Sequence, residues 1–187
     1  MNDPSSAALI EQRLMRLEAR AEIRNLITRY CVAIDDRDLA GIGACFAEQA
    51  SFSSADGVMH ATGRQAVVAQ FEGRFAVLGP CFHFTHDHTL DFEDGSTTEA
   101  YGLVLSHAEL WRHGAAYLAA MRYADRYVLE RGAWCFASRV ISFLYYAPIK
   151  DYPTLLGAPD RMRAYGDRRP ADIPESLPTW RGYHGLV

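Results

Sequence analysis

Between Cys81 and Tyr146 the sequence alternates long, apolar-rich runs with short glycine-containing breaks. Phe82–Phe92 stops at Glu93-Asp94-Gly95-Ser96, and Thr98–Trp111 stops at Arg112-His113-Gly114. Ala115–Leu129 stops at Glu130-Arg131-Gly132, and Trp134–Tyr146 follows. Runs of this kind joined by such short turns predict an antiparallel meander, because a parallel neighbour would need a long crossover. Leu103-Val104-Leu105 and Val140-Ile141 place apolar side chains on both parities, which predicts a sheet covered in part on both faces. Helices would cover one face. A second copy of the chain, in a homodimer or homotrimer, would cover the other.

The segment upstream supplies those helices. From Ser6 to Asp38 apolar residues recur at helical spacing: Ile10, Leu14, Leu17 and Ala21, then Ile23, Ile27, Tyr30 and Ile34. Glu18, Arg20, Arg24 and Asn25 would face water. The run Asp35-Asp36-Arg37-Asp38 is poor helix interior and ends the helix, with Asp38 placed to cap a short second one, Leu39–Phe46. Ala50–Ser54 and Val58–Ala61 flank an Asp56-Gly57 turn and read as a hairpin. Gly63–Val77 returns to helical spacing, with Val67, Val68, Phe71 and Phe75 apolar, until Gly79-Pro80 closes it. The segment from Ala147 holds six of the eight prolines and reads as irregular structure packed on the domain.

At 187 residues the chain suits one domain, and its 49% hydrophobic and 22% charged residues are an ordinary globular balance. A net charge of −4 gives no reason to expect nucleic acid or an anionic membrane as partner. No apolar run approaches the roughly 18 residues of a membrane span. The N-terminus lacks a basic stretch followed by an apolar one, so a cytoplasmic location is expected. The cysteines Cys31, Cys45, Cys81 and Cys135 are too scattered for a zinc motif or a disulfide framework and read as reduced thiols.

Candidate chemistry begins at Asp35, an acid at the edge of an apolar helix face and costly to desolvate without a partner. Its natural partner is the cluster His83-Phe84-Thr85-His86-Asp87-His88. A carboxylate bonded to one imidazole nitrogen fixes the tautomer and supports the cation formed when the other nitrogen takes a proton. Asp36 and Asp38 fit helix punctuation better than catalysis. Tyr30 is either a phenol that donates to a substrate oxygen or core packing. On a regular strand His83, Thr85 and Asp87 share one face and His86 and His88 the other, so the cluster would be split and no metal site is expected. His107 is a second histidine candidate for substrate contact. Arg122 and Arg139 either reach a substrate or pair with an acid such as Asp125. Phe71 and Tyr123 are candidate cavity-lining aromatics, as are Phe75, Tyr101, Tyr117 and Phe143.

The order and spacing of three stretches, EIRNLITRYCVAIDDRD, HFTHDHTLDFEDG and DRYVLERGAWCFASR, resemble the SnoaL-like branch of the nuclear-transport-factor-2-like superfamily. The resemblance spans Glu22 to Tyr146. It implies an α+β fold: a cone-shaped α+β barrel over residues 1–147, with N-terminal helices on a curved, mostly antiparallel sheet and a tail at 148–187. It further implies a cofactor-independent lyase or isomerase, dehydratase-like, acting on a small hydrophobic or polycyclic molecule without metal. By motif position His83 would be the base, Asp35 its orienter, and Tyr30 the counterpart of the tyrosine in bile-acid dehydratase members. Ile34 stands where scytalone dehydratase members carry a tyrosine. His107-Ala108-Glu109 stands where bile-acid members carry an aspartate, which argues against a bile acid as substrate. The same fold also serves non-catalytic ligand-binding or assembly modules, such as dioxygenase small subunits, and polyketide-cyclase-like enzymes.

Overall fold

The structure is a computed structural model and describes residues 4–186. Helix α1 (Pro4–Asp35) buries Ala19, Ile23, Leu26, Ile27, Tyr30 and Ile34, the periodic stripe of its second half. The first half departs from expectation. Leu9, Ile10, Leu14 and Leu17 are exposed, because this half reaches past the sheet and touches it through Gln12 and Arg16, which donate to the carbonyls of Gly95 and Ser96. Ala21 is exposed as well, and Ala19 is buried in its place.

α1 ends in a Schellman turn. The Arg37 amide bonds the Ile34 carbonyl, and the Asp38 amide bonds that of Ala33. Arg37 occupies the left-handed position, φ 61°, where glycine is the usual choice. Asp38 then caps α2 (Leu39–Cys45), its carboxylate accepting from the Gly41 amide at 2.9 Å. A Cβ at Gly41 would collide with that carboxylate, so the cap needs a glycine there. β1 (Phe46–Ser54) and β2 (His60–Thr62) form the predicted hairpin, and α3 (Arg64–Phe75) follows.

The meander comprises β3 (Cys81–His88), β5 (Glu99–Arg112), β6 (Ala115–Glu130) and β7 (Ala133–Pro148), all antiparallel. Strand order in the sheet is β2-β1-β7-β6-β5-β3, with β1 running parallel to β7. The expected Phe82–Phe92 strand is broken. Thr89 and Leu90 leave the ladder before the short β4 (Asp91–Phe92), and the Thr89 carbonyl approaches Gly102 so closely that a Cβ there would overlap it. The sheet curves without closing, and α1, α2 and α3 fill its concave side around one apolar core.

β1 leaves β7 at Ile141, which strands the last part of the β7 edge. The segment after β7 fills it. Tyr146 exchanges backbone bonds with Arg161 and Arg163, and Asp172 accepts the Phe143 amide at 2.7 Å while donating its own to the Phe143 carbonyl. Buried Arg161 donates to the Leu144 and Ile173 carbonyls and to Glu175. A short helix, α4 (Tyr152–Leu155), covers Ala120, Tyr145 and Ala147 on the outer face. Part of the outer face is thus covered within one chain, though not at Leu103 or Leu105, where apolar residues occupy both parities. Phe82, Phe84, Leu103, Leu105 and Trp111, on β3 and β5, stay exposed. No described helix is long and apolar enough to cross a membrane.

Candidate active site

His83 is held by both oxygens of one carboxylate. Asp35 Oδ1 lies 2.6 Å from His83 Nδ1, and Oδ2 accepts the His83 backbone N–H at 2.9 Å. The two residues come from the end of α1 and the start of β3, 48 positions apart. A carboxylate only accepts, so Nδ1 carries the hydrogen and the Nε2 lone pair is left free. Burial works to lower the His83 pKa, but Asp35 and the neighbouring Cys81 outweigh it and the net shift is upward from 6.5. Burial likewise works to raise Asp35, but bonds from the His83 ring and amide carry it below its ordinary value.

Arg37 fixes this junction. Its guanidinium donates to Cys81 Sγ at 3.0 Å and to the carbonyls of Ile34, Leu78 and Gly79, and stacks 4.4 Å above the Phe75 ring. The helix end, the loop before β3 and β3 itself are thereby tied together. A further tie runs from Cys31 on α1 to Thr85 on β3, at 3.2 Å.

His83 opens on a small apolar cavity between the helices and the sheet, about 50 Å³ as a cavity and about 570 Å³ when all the space between its wall atoms and its open mouth is counted. Tyr30, Phe71, Tyr123, Met121, Phe143 and Tyr146 are among its walls. Tyr30 and Tyr123 are buried, and burial first of all pushes both phenols up, Tyr30 well above its ordinary value. They remain hydrogen-bond donors. Beside them is a buried ion pair: Arg139 donates to both Asp125 oxygens at 2.8 and 2.7 Å and is caged by the rings of Tyr30, Tyr123 and Phe136. Arg139 therefore pairs with Asp125, one of the two readings open to it from sequence.

Two expected substrate contacts stand elsewhere. His107 and Arg122 alternate with the cavity residues Ala108, Met121 and Tyr123 and point to the outer face. There His107 bonds His86 and Tyr145. Strand parity separates both from the cavity. The histidine cluster is also arranged differently from a regular strand, because a bulge between Thr85 and Asp87 reverses the alternation. His88 turns inward with His83, while Asp87 and His86 turn outward.

Among the described residues, Asp35, Cys81 and His83 form the one group of potential metal donors, with ligand atoms within 4.8 Å of one another. Nδ1 and Oδ1 are already joined by a hydrogen bond, and the Arg37 cation lies against the sulfur. That donor set fits a proton-handling pair better than a cation site. Cys81 shares the His83 face two residues away, a signal that strand alternation carries, whereas nothing in the sequence marks Arg37 beyond its place in the run that ends the helix.

The comparisons agree with this architecture. Residues 15–140 match the family described as SnoaL-like domain. The fold is similar to that of a hexachlorocyclohexane dehydrochlorinase (LinA) Type2, with 18% identity and a TM-score of 0.68 over 73% of this chain and 93% of that one. It is similar to a provisionally assigned scytalone dehydratase from Novosphingobium aromaticivorans, with 23% identity and a TM-score of 0.66 over 72% and 89%. An NTF2-like protein with a cystatin-like fold from the same species gives 26% identity and a TM-score of 0.60 over 77% and 92%. No curated protein matches the sequence significantly.

Proposed function

The chain belongs to the SnoaL-like domain family, and on that premise we propose that it is a cofactor-independent lyase or isomerase, dehydratase-like, acting on a small hydrophobic cyclic molecule. His83 Nε2 removes a proton next to the departing group, and Asp35 holds the ring and stabilises the imidazolium that results. Elimination of water or halide, or return of the proton at a neighbouring carbon, completes the reaction. Tyr30, a permanent phenol on the cavity wall, donates a hydrogen bond to the substrate oxygen on which charge develops. Phe71 and Tyr123 provide apolar contact.

The observation that carries this reading is the two-oxygen grip of Asp35 on His83 beside an apolar cavity. It favours an enzyme over a purely assembling module, for which such a partly desolvated pair would be a cost without return. The test is a panel of hydroxylated and halogenated cyclic compounds assayed for loss of water or halide, without added cofactor. His83→Ala should lower any turnover found by about 10²–10⁴-fold, and Asp35→Asn should lower it substantially, with the fold retained. Near-native activity in His83→Ala would remove the base from the mechanism.

A further inference from the structure

Four residues lie directly opposite one another across the meander: His83 on β3, Ala108 on β5, Ala119 on β6 and Tyr146 on β7. All four line the same cavity. The two alanines in the middle of the row are buried and carry the shortest side chains of the four, so the reach of His83 and Tyr146 marks its ends. Three strand spacings separate them, about 14 Å along the sheet.

Tyr146 is 2% exposed, and its hydroxyl has no hydrogen-bond partner among the described residues. A buried polar atom without a partner is uncommon in a folded protein and calls for an explanation. Burial pushes the phenol up, so it keeps its hydrogen and donates. The Arg112 guanidinium, 6.0 Å from the centre of the Tyr146 ring, lies on the phenol's side and can only donate towards its oxygen, so the hydroxyl hydrogen still has no acceptor. Arg74 lines the same cavity, and the only side-chain partner of its guanidinium among the described residues is Met59 Sδ. This end of an otherwise apolar space therefore offers a free donor next to positive charge.

We propose that Tyr146 is a specificity-determining residue: its hydroxyl binds an oxygen acceptor, a carbonyl or carboxylate, at the end of a flat apolar substrate remote from His83. The substrate's rings lie over Ala108 and Ala119. The proposal rests on the cavity being the substrate site, and it adds the class of molecule that the site selects: an aromatic or alicyclic body with a terminal oxygen.

The test reads binding rather than turnover. 2-Acetylnaphthalene and 2-ethylnaphthalene are close in shape and differ in the terminal carbonyl. The native protein should bind the ketone about five- to tenfold more tightly, the worth of one added hydrogen bond. Tyr146→Phe should erase that preference while leaving Tm unchanged or raised, because no protein hydrogen bond is lost. Arg122→Gln, on the outer face, should keep it. No preference in the native protein, or a preference that survives Tyr146→Phe, overturns the proposal. A marked fall in Tm in Tyr146→Phe also overturns it, since the hydroxyl would then serve the fold. Asp35→Asn should retain the preference whether or not the Asp35–His83 pair is catalytic, so the two readings fail separately.

Discussion

Asp35 and His83 illustrate how a residue's role depends on which of its atoms are already engaged. The ring nitrogen that faces Asp35 is occupied and the other is not, so the imidazole can take up a proton from one direction only. The same contact ties stability to pH. The raised His83 pKa contributes stability that is full below about 6.5 and is lost as pH rises through the folded value. The lowered Asp35 pKa contributes stability that is present above about 3.8 and is lost as pH falls through its folded value. The proposed reaction needs the neutral ring, so its kcat/KM should rise with pH on an acidic limb centred above 6.5, and Asp35→Asn should move that midpoint down. The Arg139–Asp125 pair carries a different prediction. Both side chains are almost fully excluded from water, so Asp125→Ala strands a buried cation and should cost about 3–5 kcal/mol in denaturant unfolding. Asp35 and His83 were legible because an acid ending an apolar stripe requires a partner and histidine is a natural one. Tyr146 was not, since nothing in the sequence distinguishes an orphaned hydroxyl from a satisfied one.

At the scale of elements, the join of α1 to β3 sets the distance between Asp35 and His83. Arg37 accepts a left-handed backbone there while its side chain ties three segments together. Arg37→Gly separates the two effects. If only the backbone mattered, glycine would relieve about 1 kcal/mol of strain and stabilise the fold. The clamp predicts the opposite sign, a loss of about 1–3 kcal/mol by chemical denaturation. The meander, its turns and the capped second helix can be read from glycine placement and periodicity. The β3 bulge cannot, because one extra residue in a strand leaves no compositional mark, and simple alternation therefore puts the residues beyond Thr85 on the wrong faces. The first half of α1 misleads for a related reason: a periodic stripe shows which face is apolar, not whether anything lies against it.

For the whole molecule, the unburied apolar surface is the notable remainder. The outer face of β3 and β5 presents Phe82, Phe84, Leu103, Leu105 and Trp111, and the first half of α1 adds Leu9, Ile10, Leu14 and Leu17. Large apolar side chains grouped on one sheet face mark a candidate interaction surface. A second copy of the chain is the natural cover for the sheet face. The mass in solution measured by light scattering should then exceed the 20.9 kDa of one chain, and Leu105→Glu should return it to that value. A native mass of one chain would leave the apolar face unexplained. Helices packed on an antiparallel meander followed from the order of elements, and the cone-shaped α+β fold from the resemblance to the SnoaL-like branch. The division of the outer face between α4 and open surface did not, because it depends on where a proline-rich tail comes to rest.

That Asp35 makes His83 a stronger, singly oriented base can be tested without knowing the substrate. An NMR titration of the His83 ring, in the native protein and in Asp35→Asn, reads it directly. The expected results are a native pKa above 6.5, hydrogen on Nδ1 in the neutral form, and a clear fall in pKa in Asp35→Asn. A native value at or below 6.5, or one that Asp35→Asn leaves unchanged, would contradict it.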